Sequence, residues 1–336
     1  PGPACYGQGG EHATLTDANL LLGYLDPNFF LGGEMSLDYE KAVEVIGNQV
    51  AVPLALKLER AAFGIHDIVS EDVARAFRIH ASERGFDYRA CSMIAFGGCG
   101  PVHAIRVAKK LGIPRVVFPV AAGVMSAIGL LASPLAFEVA RTRERFVRDL
   151  DDREIGHFFA EIESEAKAPL VAAGLSDADI DIVRHLDMRY HGQGHEIEVS
   201  LDEGDTQVAN LESLFRQRYE TLYAFAPLDA PLVITTWKVE ARGPAPGLEA
   251  GYFVGGESPA ERAGQKGTRR AFFPDAGGWI ETPVFNRYAL RPDVEIFGPA
   301  LIEERESTVV VGPGDLVVVD AEQNLIAELG AARSDP

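Results

Sequence analysis

Cysteine is scarce in this sequence. Its 336 residues include three cysteines, Cys5, Cys91 and Cys99, and no Cys-x-x-Cys pair. A disulfide framework or a zinc knuckle needs paired thiols at short spacing, so the odd count and the wide spacing argue against both. The pattern predicts a reducing, cytoplasmic environment.

Basic residues are also in short supply. Lys and Arg number 31 against 50 Asp and Glu, which gives a formal net charge of −19 at pH 7. Because so acidic a surface repels phosphate, we expect no nucleic-acid partner. Runs of ~18 apolar residues, the length of a membrane-spanning helix, are missing too, so no membrane partner is expected.

The first residues, PGPACYG, lack an initiator methionine, a basic region and the apolar stretch of a signal peptide. We interpret this segment as the interior of a longer chain. The composition, with 47% hydrophobic and 24% charged residues, is typical of a soluble globular protein. The length suggests roughly two domains of ~150 residues.

Local patterns divide the chain into three segments. Residues 1–148 alternate helical and strand-like signals with Gly and Pro punctuation, which is typical of an α/β lobe. Residues 149–243 predict an α+β module in the order helix, strand, strand, helix, strand. Residues 244–336 begin as a Gly- and Pro-rich linker and continue as a small β-rich module.

Three helices are predicted before residue 85. The first is capped by Thr16 and Asp17. The second covers residues 38–63, with a break at Pro53, and the third covers residues 70–84.

The strongest local signal is a strand, glycine loop, helix and strand between Cys91 and Pro119. The loop Gly97–Pro101 contains three glycines, and because they have no side chains their backbone N–H groups can approach a ligand closely. The N-terminus of the following helix adds partial positive charge. A nucleotide would therefore fit. The loop is neither a Gly-x-Gly-x-x-Gly fingerprint nor a Walker A motif, and a tight turn with positive φ explains the glycines equally well.

His103 lies in the first helical turn after this loop. It either contacts a phosphate or moves a proton, or it is a partly buried histidine that donates to a nearby carbonyl. The second interpretation is favoured, because the sequence places no second titratable group beside it. Cys99 is either a thiol activated by the helix N-terminus or a small loop residue, and again the second is favoured.

His191 and His195 are four residues apart, the spacing of two metal ligands on a helix. Gly192 and Gly194 place them in a turn instead, so a solvated turn is favoured and no metal site is predicted.

Five motifs occur in an order that resembles one family. They are PGPACYG at residues 1–7, LTDANLLLG at 15–23, AFGGCGPVHA at 95–104, RYHGQ at 189–193 and GPALIEE at 298–304. Together they resemble the hydantoinase A/oxoprolinase family. This family includes ATP-dependent N-methylhydantoinases, 5-oxoprolinases and the nucleotide-binding subunits of acetone and acetophenone carboxylases.

The resemblance implies a fold like that of actin, Hsp70 and the sugar kinases, in which two lobes close on ATP. It also implies that ATP activates an amide or ketone oxygen before ring opening or carboxylation. Gly97, Gly98 and Gly100 are then the nucleotide-binding residues, and Ser126 is a weaker candidate.

The family's Asp-x-Gly-Gly-Thr motifs, which bind Mg²⁺ and phosphate, lie upstream of PGPACYG and are absent from this chain. Phosphoryl transfer needs these carboxylates and the metal, so the isolated chain is expected to be inactive. The resemblance therefore implies an N-terminal lobe or a separate subunit, and a hydantoinase B-type partner. One half of a two-lobed fold should expose an apolar face, and through this face it should tend to associate with another protein chain.

Five polar residues are expected to face the cleft: Asp17, Asn19, His103, Arg189 and Gln193. A helix cap explains the first two equally well. The favoured function is the C-terminal part of an ATP-dependent cyclic amide hydrolase. The alternatives are the nucleotide-binding subunit of an ATP-dependent ketone carboxylase and a non-catalytic interaction module.

Overall fold

A computed structural model describes residues 2–202, 207–225, 230–247 and 264–330. It has the mixed α/β architecture that the sequence predicts. The chain divides into two compact units: unit 1 is Pro1–Leu130 together with Glu249–Pro336, and unit 2 is Leu131–Leu248. In the described residues, no helix is both long enough and apolar enough to span a membrane.

Seven α-helices lie in the described residues. They are α1 (Leu15–Leu21), α2 (Tyr39–Ile46), α3 (Leu58–Glu83), α4 (Gly100–Leu111), α5 (Met125–Ala132), α6 (Asp152–Ala172) and α7 (Val208–Tyr223).

The described strands form three sheets. They are β1 (Ser92–Ile94), β2 (Arg115–Phe118), β3 (Ala136–Phe146), β4 (Asp181–Tyr190), β5 (Ile197–Leu201), β6 (Leu232–Arg242), β7 (Gln265–Phe273), β8 (Gly278–Asn286), β9 (Glu295–Phe297), β10 (Ala300–Glu303), β11 (Thr308–Val311), β12 (Leu316–Val319) and β13 (Leu325–Glu328).

The first helices differ from the sequence prediction in their bounds. Thr14, not Thr16, caps α1, and the carboxylate of Asp17 completes a capping box with it. The predicted break at Pro53 is confirmed, since Pro53 lies between α2 and α3. Helix α3 then continues through Ser70, where a new helix was predicted, because no helix breaker stronger than Gly64 interrupts it.

Unit 1 contains two sheets. One has the order β1-β2-β13-β12-β9, and the other has the order β11-β10-β8-β7. Strands β1 and β2 are parallel and are connected by α4, as the strand, loop, helix and strand pattern predicts. The apolar side chains of α4 form one core cluster with the first sheet. Helices α1, α2 and the start of α3 pack with residues of the second sheet.

The C-terminal strands are not separate from the first lobe in the structure. Strand β13 pairs antiparallel with β2, so it extends the sheet that β1 and β2 begin. The sequence prediction placed residues 244–336 in a module of their own. Local patterns carry no information about which distant strand a strand will pair with, which accounts for the difference.

Unit 2 is an antiparallel sheet in the order β3-β6-β4-β5, with α6 and α7 contributing apolar side chains to its core. Trp237 lies in this core with Phe158 and Phe159 packed edge-on against it. The elements predicted between residues 149 and 243 are confirmed. Strand β3 was missed, because most of its side chains are exposed and many are charged.

Candidate functional site

The glycine loop connects the end of β1 to the start of α4. Gly97 has a φ of +91°, and its N–H donates to the carbonyl of Ala122 at 2.7 Å. Gly98 and Gly100 are exposed, and Pro101 occupies the first turn of α4. The tight-turn interpretation therefore accounts for Gly97, whereas the backbone at Gly98 and Gly100 remains open to a ligand.

A second turn lies beside this loop. Ala122 is in the short turn before α5, and Ser126 is exposed in the first turn of α5. The hydrogen bond between Gly97 and Ala122 connects the two turns. Two of the predicted nucleotide-binding segments are thus adjacent.

A buried polar cluster lies beneath the loop. His103 in α4 contacts Asn19 in α1 through Nε2 at 3.3 Å and Ser70 in α3 through Nδ1 at 3.1 Å. The amide Oδ1 of Asn19 lies 2.8 Å from Nδ1 of His66, also in α3. All four residues are buried. The cluster therefore joins three helices immediately behind the first turn of α4.

The hydrogen-bond directions fix the tautomers of both histidines. The Ser70 hydroxyl donates to the carbonyl of His66 at 2.9 Å, so its oxygen accepts from Nδ1 of His103. Nε2 of His103 then accepts from the amide nitrogen of Asn19. The amide oxygen of Asn19 accepts from Nδ1 of His66. Each histidine thus carries one proton, on Nδ1.

Burial holds both imidazoles neutral. Desolvation lowers the pKa of His103 to about 4. Desolvation also lowers the pKa of His66 to about 3, assisted by the nearby His103 and Arg106. At pH 7 the cluster is uncharged. Neutral His103 is therefore a hydrogen-bonding anchor, in contrast to the phosphate-binding cation that the sequence left open.

An open apolar cleft of about 440 Å³ borders the cluster. Its lining includes Val73, Phe77, Ile94, Cys99 and His103. Desolvation by the surrounding side chains raises the pKa of the Cys99 thiol. A raised pKa disfavours the thiolate, which supports the interpretation of Cys99 as a loop residue and not an activated nucleophile.

Asp17 belongs to the local structure around α1. It is fully buried, and its carboxylate accepts from the N–H groups of Cys5 at 2.8 Å and Thr14 at 2.9 Å. The helix-cap alternative accounts for the contact with Thr14, while the contact with Cys5 joins the N-terminal segment to α1. Asn19, two residues later, belongs to the buried cluster and contacts no open space.

Arg189 and Gln193 are brought together at the end of β4 in unit 2. The guanidinium of Arg189 donates to the backbone carbonyl of Gln193 at 2.9 Å and to Glu144 at 3.3 Å. The Gln193 side chain accepts from the N–H of Tyr190 and donates to the hydroxyl of Tyr219 at 2.6 Å. Both residues therefore hold the β4–β5 turn.

The predicted turn with His191 and His195 packs its imidazoles on different aromatic rings, Phe146 and Tyr223 respectively. Across the described ranges, no group of three or more His, Cys, Asp and Glu side chains is arranged to hold a metal ion.

Sequence reasoning did not identify His66 and Ser70. The sequence does carry a signal, because the two residues are four apart in α3 and so lie on one helical face. Both are polar, whereas the other buried residues of this helix are all alanines. Sequence reasoning also did not identify the turn between β10 and β11, where the carbonyl oxygen of Glu306 lies 3.4 Å from the position that a Cβ on Gly98 would take.

Family models and curated relatives point to the same family. A family model described as hydantoinase/oxoprolinase matches residues 1–139, and a model of the hydantoinase/oxoprolinase C-terminal domain matches residues 147–327. Caprolactamase subunit alpha of Pseudomonas jessenii is 31% identical over 95% of this chain and 47% of its own length. Acetophenone carboxylase gamma subunit of Aromatoleum aromaticum is 31% identical over 98% of this chain and 46% of its own.

The fold is also similar to a solved structure. The crystal structure of ATP-dependent caprolactamase from Pseudomonas jessenii superposes with a TM-score of 0.72 and 29% identity, over 98% of this chain and 48% of that one. The chain spans about half the length of the curated relatives it matches.

Proposed function

The chain belongs to the hydantoinase/oxoprolinase family, and we propose that it is the C-terminal part of an ATP-dependent enzyme that hydrolyses a cyclic amide. The observation that carries this proposal is the glycine loop, which is open at Gly98 and Gly100 and is held from behind by the neutral cluster around His103. Gly97, Gly98, Gly100 and Ser126 are the proposed nucleotide-binding residues.

The chemistry of the loop suits a nucleotide. Glycine at positions 98 and 100 lets the backbone approach a base or sugar closely, and the 12-residue α4 presents its N-terminal N–H groups to an anion. ATP would supply a phosphoryl group that turns the amide oxygen into a leaving group. The residues of this chain bind and orient the nucleotide in this proposal.

Mg²⁺ would neutralise the charge of the phosphates during transfer. Since the described part of the chain offers no carboxylate cluster suited to a metal, we expect its ligands to come from a lobe or subunit outside this sequence. The proposed whole is a two-lobed, actin-like enzyme with a further partner subunit of the hydantoinase B type.

The surface of unit 1 supports the need for such a lobe. The cleft beside β1 is apolar, and Ile94 is 63% exposed and Phe96 50% exposed at its edge. Strand β1 is at the edge of its sheet, so one side of its backbone has no strand partner among the described residues. Apolar surface and a free strand edge together favour cover by another element.

The test is ADP binding by the full-length enzyme with its partner subunit, measured by titration calorimetry. Gly98→Asp should abolish binding, because it adds bulk and negative charge where the nucleotide lies. Gly156→Asp, on the exposed surface of α6, is the matched control and should bind ADP normally. Unchanged ADP binding in a folded Gly98→Asp variant would falsify the loop assignment.

A ketone carboxylase subunit is the second candidate, favoured by the similarity to the acetophenone carboxylase gamma subunit. The two functions differ in their requirement for bicarbonate. ATP hydrolysis that depends on bicarbonate and a ketone would support the carboxylase. Ring opening of a hydantoin, 5-oxoproline or lactam without bicarbonate would support the hydrolase.

A further inference from the structure

The turn between β10 and β11 packs directly against both turns of the candidate site. A Cβ atom added to Gly123 would lie 2.5 Å from Cβ of Glu306, and one added to Gly98 would lie 3.4 Å from the Glu306 carbonyl. Gly98 and Gly123 therefore both face the same residue of the C-terminal segment. Glu306 is fixed where the glycine loop and the turn before α5 meet.

Three glutamates lie on this hairpin, and two of them are buried and form ion pairs with cationic side chains. Glu303 is paired with Arg269 and Lys266, and Glu304 is paired with Arg287. Both carboxylates are almost fully buried, so neither is available to a ligand.

Glu306 differs from its two neighbours. Its side chain is 27% exposed, and the one ion pair that it makes with a described residue is a 3.4 Å contact with the exposed Arg305. No described N–H or O–H group donates a hydrogen bond to its carboxylate. A glutamate whose carboxylate has unused acceptor capacity is thus anchored beside the glycine loop through its backbone and Cβ, and it lines the same small cavity as Gly98.

We propose that the carboxylate of Glu306 accepts hydrogen bonds from the ribose hydroxyls of the nucleotide and so selects a ribonucleotide. This inference rests on the proposed function, since it takes the glycine loop as the nucleotide site. A nucleoside diphosphate offers two kinds of donor, the vicinal ribose hydroxyls and the amino group of the base, while its phosphates repel a carboxylate. The vicinal hydroxyls are favoured because they present two donors to the two oxygens of one carboxylate.

The test compares ADP with 2′,3′-dideoxyADP, which lacks both hydroxyls, on the full-length enzyme with its partner subunit. We expect the unaltered enzyme to bind ADP about tenfold more tightly than the dideoxy analogue, since hydrogen bonds to a charged group are among the stronger ones. Glu306→Gln should weaken ADP binding by about tenfold and change binding of the analogue by less than about twofold.

The matched control is Glu34→Gln. Glu34 is an exposed carboxylate that also pairs with Arg305, but it belongs neither to the glycine loop nor to the turn before α5. It should leave both dissociation constants unchanged, which separates the effect of the carboxylate from any effect transmitted through Arg305.

Four results would overturn the proposal. An equal loss for both nucleotides in Glu306→Gln would show that the residue only supports the loop. Tighter ADP binding would show that the carboxylate repels phosphate. A loss that disappears with inosine diphosphate would place the carboxylate at the base amino group. Failure of the unaltered enzyme to bind ADP would overturn the proposed function itself, whereas the first three results leave that function intact.

Discussion

His66 and His103 stack face to face, with ring centroids 4.2 Å apart and an angle of 22° between the planes. The first comes from α3 and the second from the start of α4, and Asn19 bridges their nitrogens. Two charged imidazoles at this distance would repel each other strongly. The arrangement therefore depends on both rings being neutral, and it links the position of α4 to their protonation.

We predict that acid destabilises the protein through this pair. In the unfolded chain a histidine has a pKa of about 6.5, while burial lowers the pKa of His66 to about 3 and of His103 to about 4 in the folded protein. Below pH 6.5 the unfolded state binds more protons than the folded state. The free energy of unfolding is therefore highest above pH 6.5, and it falls as the pH drops towards the folded pKa values. Each histidine contributes a slope of about 1.4 kcal/mol per pH unit.

Urea denaturation at several pH values between 4.5 and 7 measures this slope. The variant His103→Gln removes one titrating group, and the repulsion it exerts on His66, so its stability should depend less steeply on pH. A slope identical to that of the parent would show that carboxylates, and not this cluster, dominate acid denaturation.

The two glycines that follow Phe96 should respond differently to alanine. Gly97 has a φ of +91°, so Gly97→Ala strains the backbone and should lower the free energy of unfolding by about 1–2 kcal/mol. Gly98 has no such φ, and its new Cβ would make an ordinary 3.4 Å contact, so Gly98→Ala should change stability by less than about 0.5 kcal/mol. Thermal denaturation of the two variants checks the difference.

Gly123→Ala should destabilise the protein for a different reason. Its φ is compatible with alanine, but the added Cβ would lie 2.5 Å from Cβ of Glu306 and force the β10–β11 turn away. Overpacking of this kind costs about 1–3 kcal/mol. Gly64→Ala, with open space at the Cβ position in α3, is the control and should be neutral or slightly stabilising. Similar losses in both variants would argue against close packing of the turn.

Much of the fold could be predicted from local signals. The glycine loop is bounded by an apolar run and by Pro101, which suits the first turn of a helix, so the sequence identifies both of its ends. Strand β3 lacked such a signal because residues such as Arg141, Arg143 and Glu144 leave few apolar side chains to alternate. The pairing of β13 with β2 depends on contacts between distant segments, which no local pattern encodes.

Two of the four residues in the buried cluster could be identified from the sequence, but their arrangement could not. Asn19 and His103 were identified separately, each with an alternative explanation, and the structure shows that they contact each other. Their meeting requires α1, α3 and α4 to pack together. The role of Glu306 also depends on tertiary packing, since it lies 208 residues after Gly98 in the sequence.

Arg189 and Gln193 allow a substrate-facing role to be separated from a structural one. The side-chain oxygen and nitrogen of Gln193 are both hydrogen-bonded, to Tyr190 and Tyr219, so Gln193→Ala should lower the free energy of unfolding by about 1–3 kcal/mol and leave KM for the proposed substrate unchanged. If Arg189 faces substrate, as the sequence predicts, Arg189→Ala should raise KM. Steady-state kinetics of both variants of the full-length enzyme with its partner subunit, at a temperature where each is folded, distinguishes the two roles. An unchanged KM in Arg189→Ala would show that this residue does not face substrate.

The buried pair of Arg287 and Glu304 should be the most sensitive to substitution near the β10–β11 turn. Nη1 of Arg287 donates to Glu304 at 2.6 Å, and Nη2 donates to the carbonyl of Phe118 at 2.8 Å. Arg287→Ala leaves the carboxylate buried without a cation, which costs about 3–5 kcal/mol. The double variant Arg287→Met with Glu304→Leu removes both charges, so it should be less destabilised than the single variant. If chemical denaturation shows the double variant to be at least as unstable, the hydrogen bond to Phe118 contributes more than the ion pair, and the turn is held chiefly through β2.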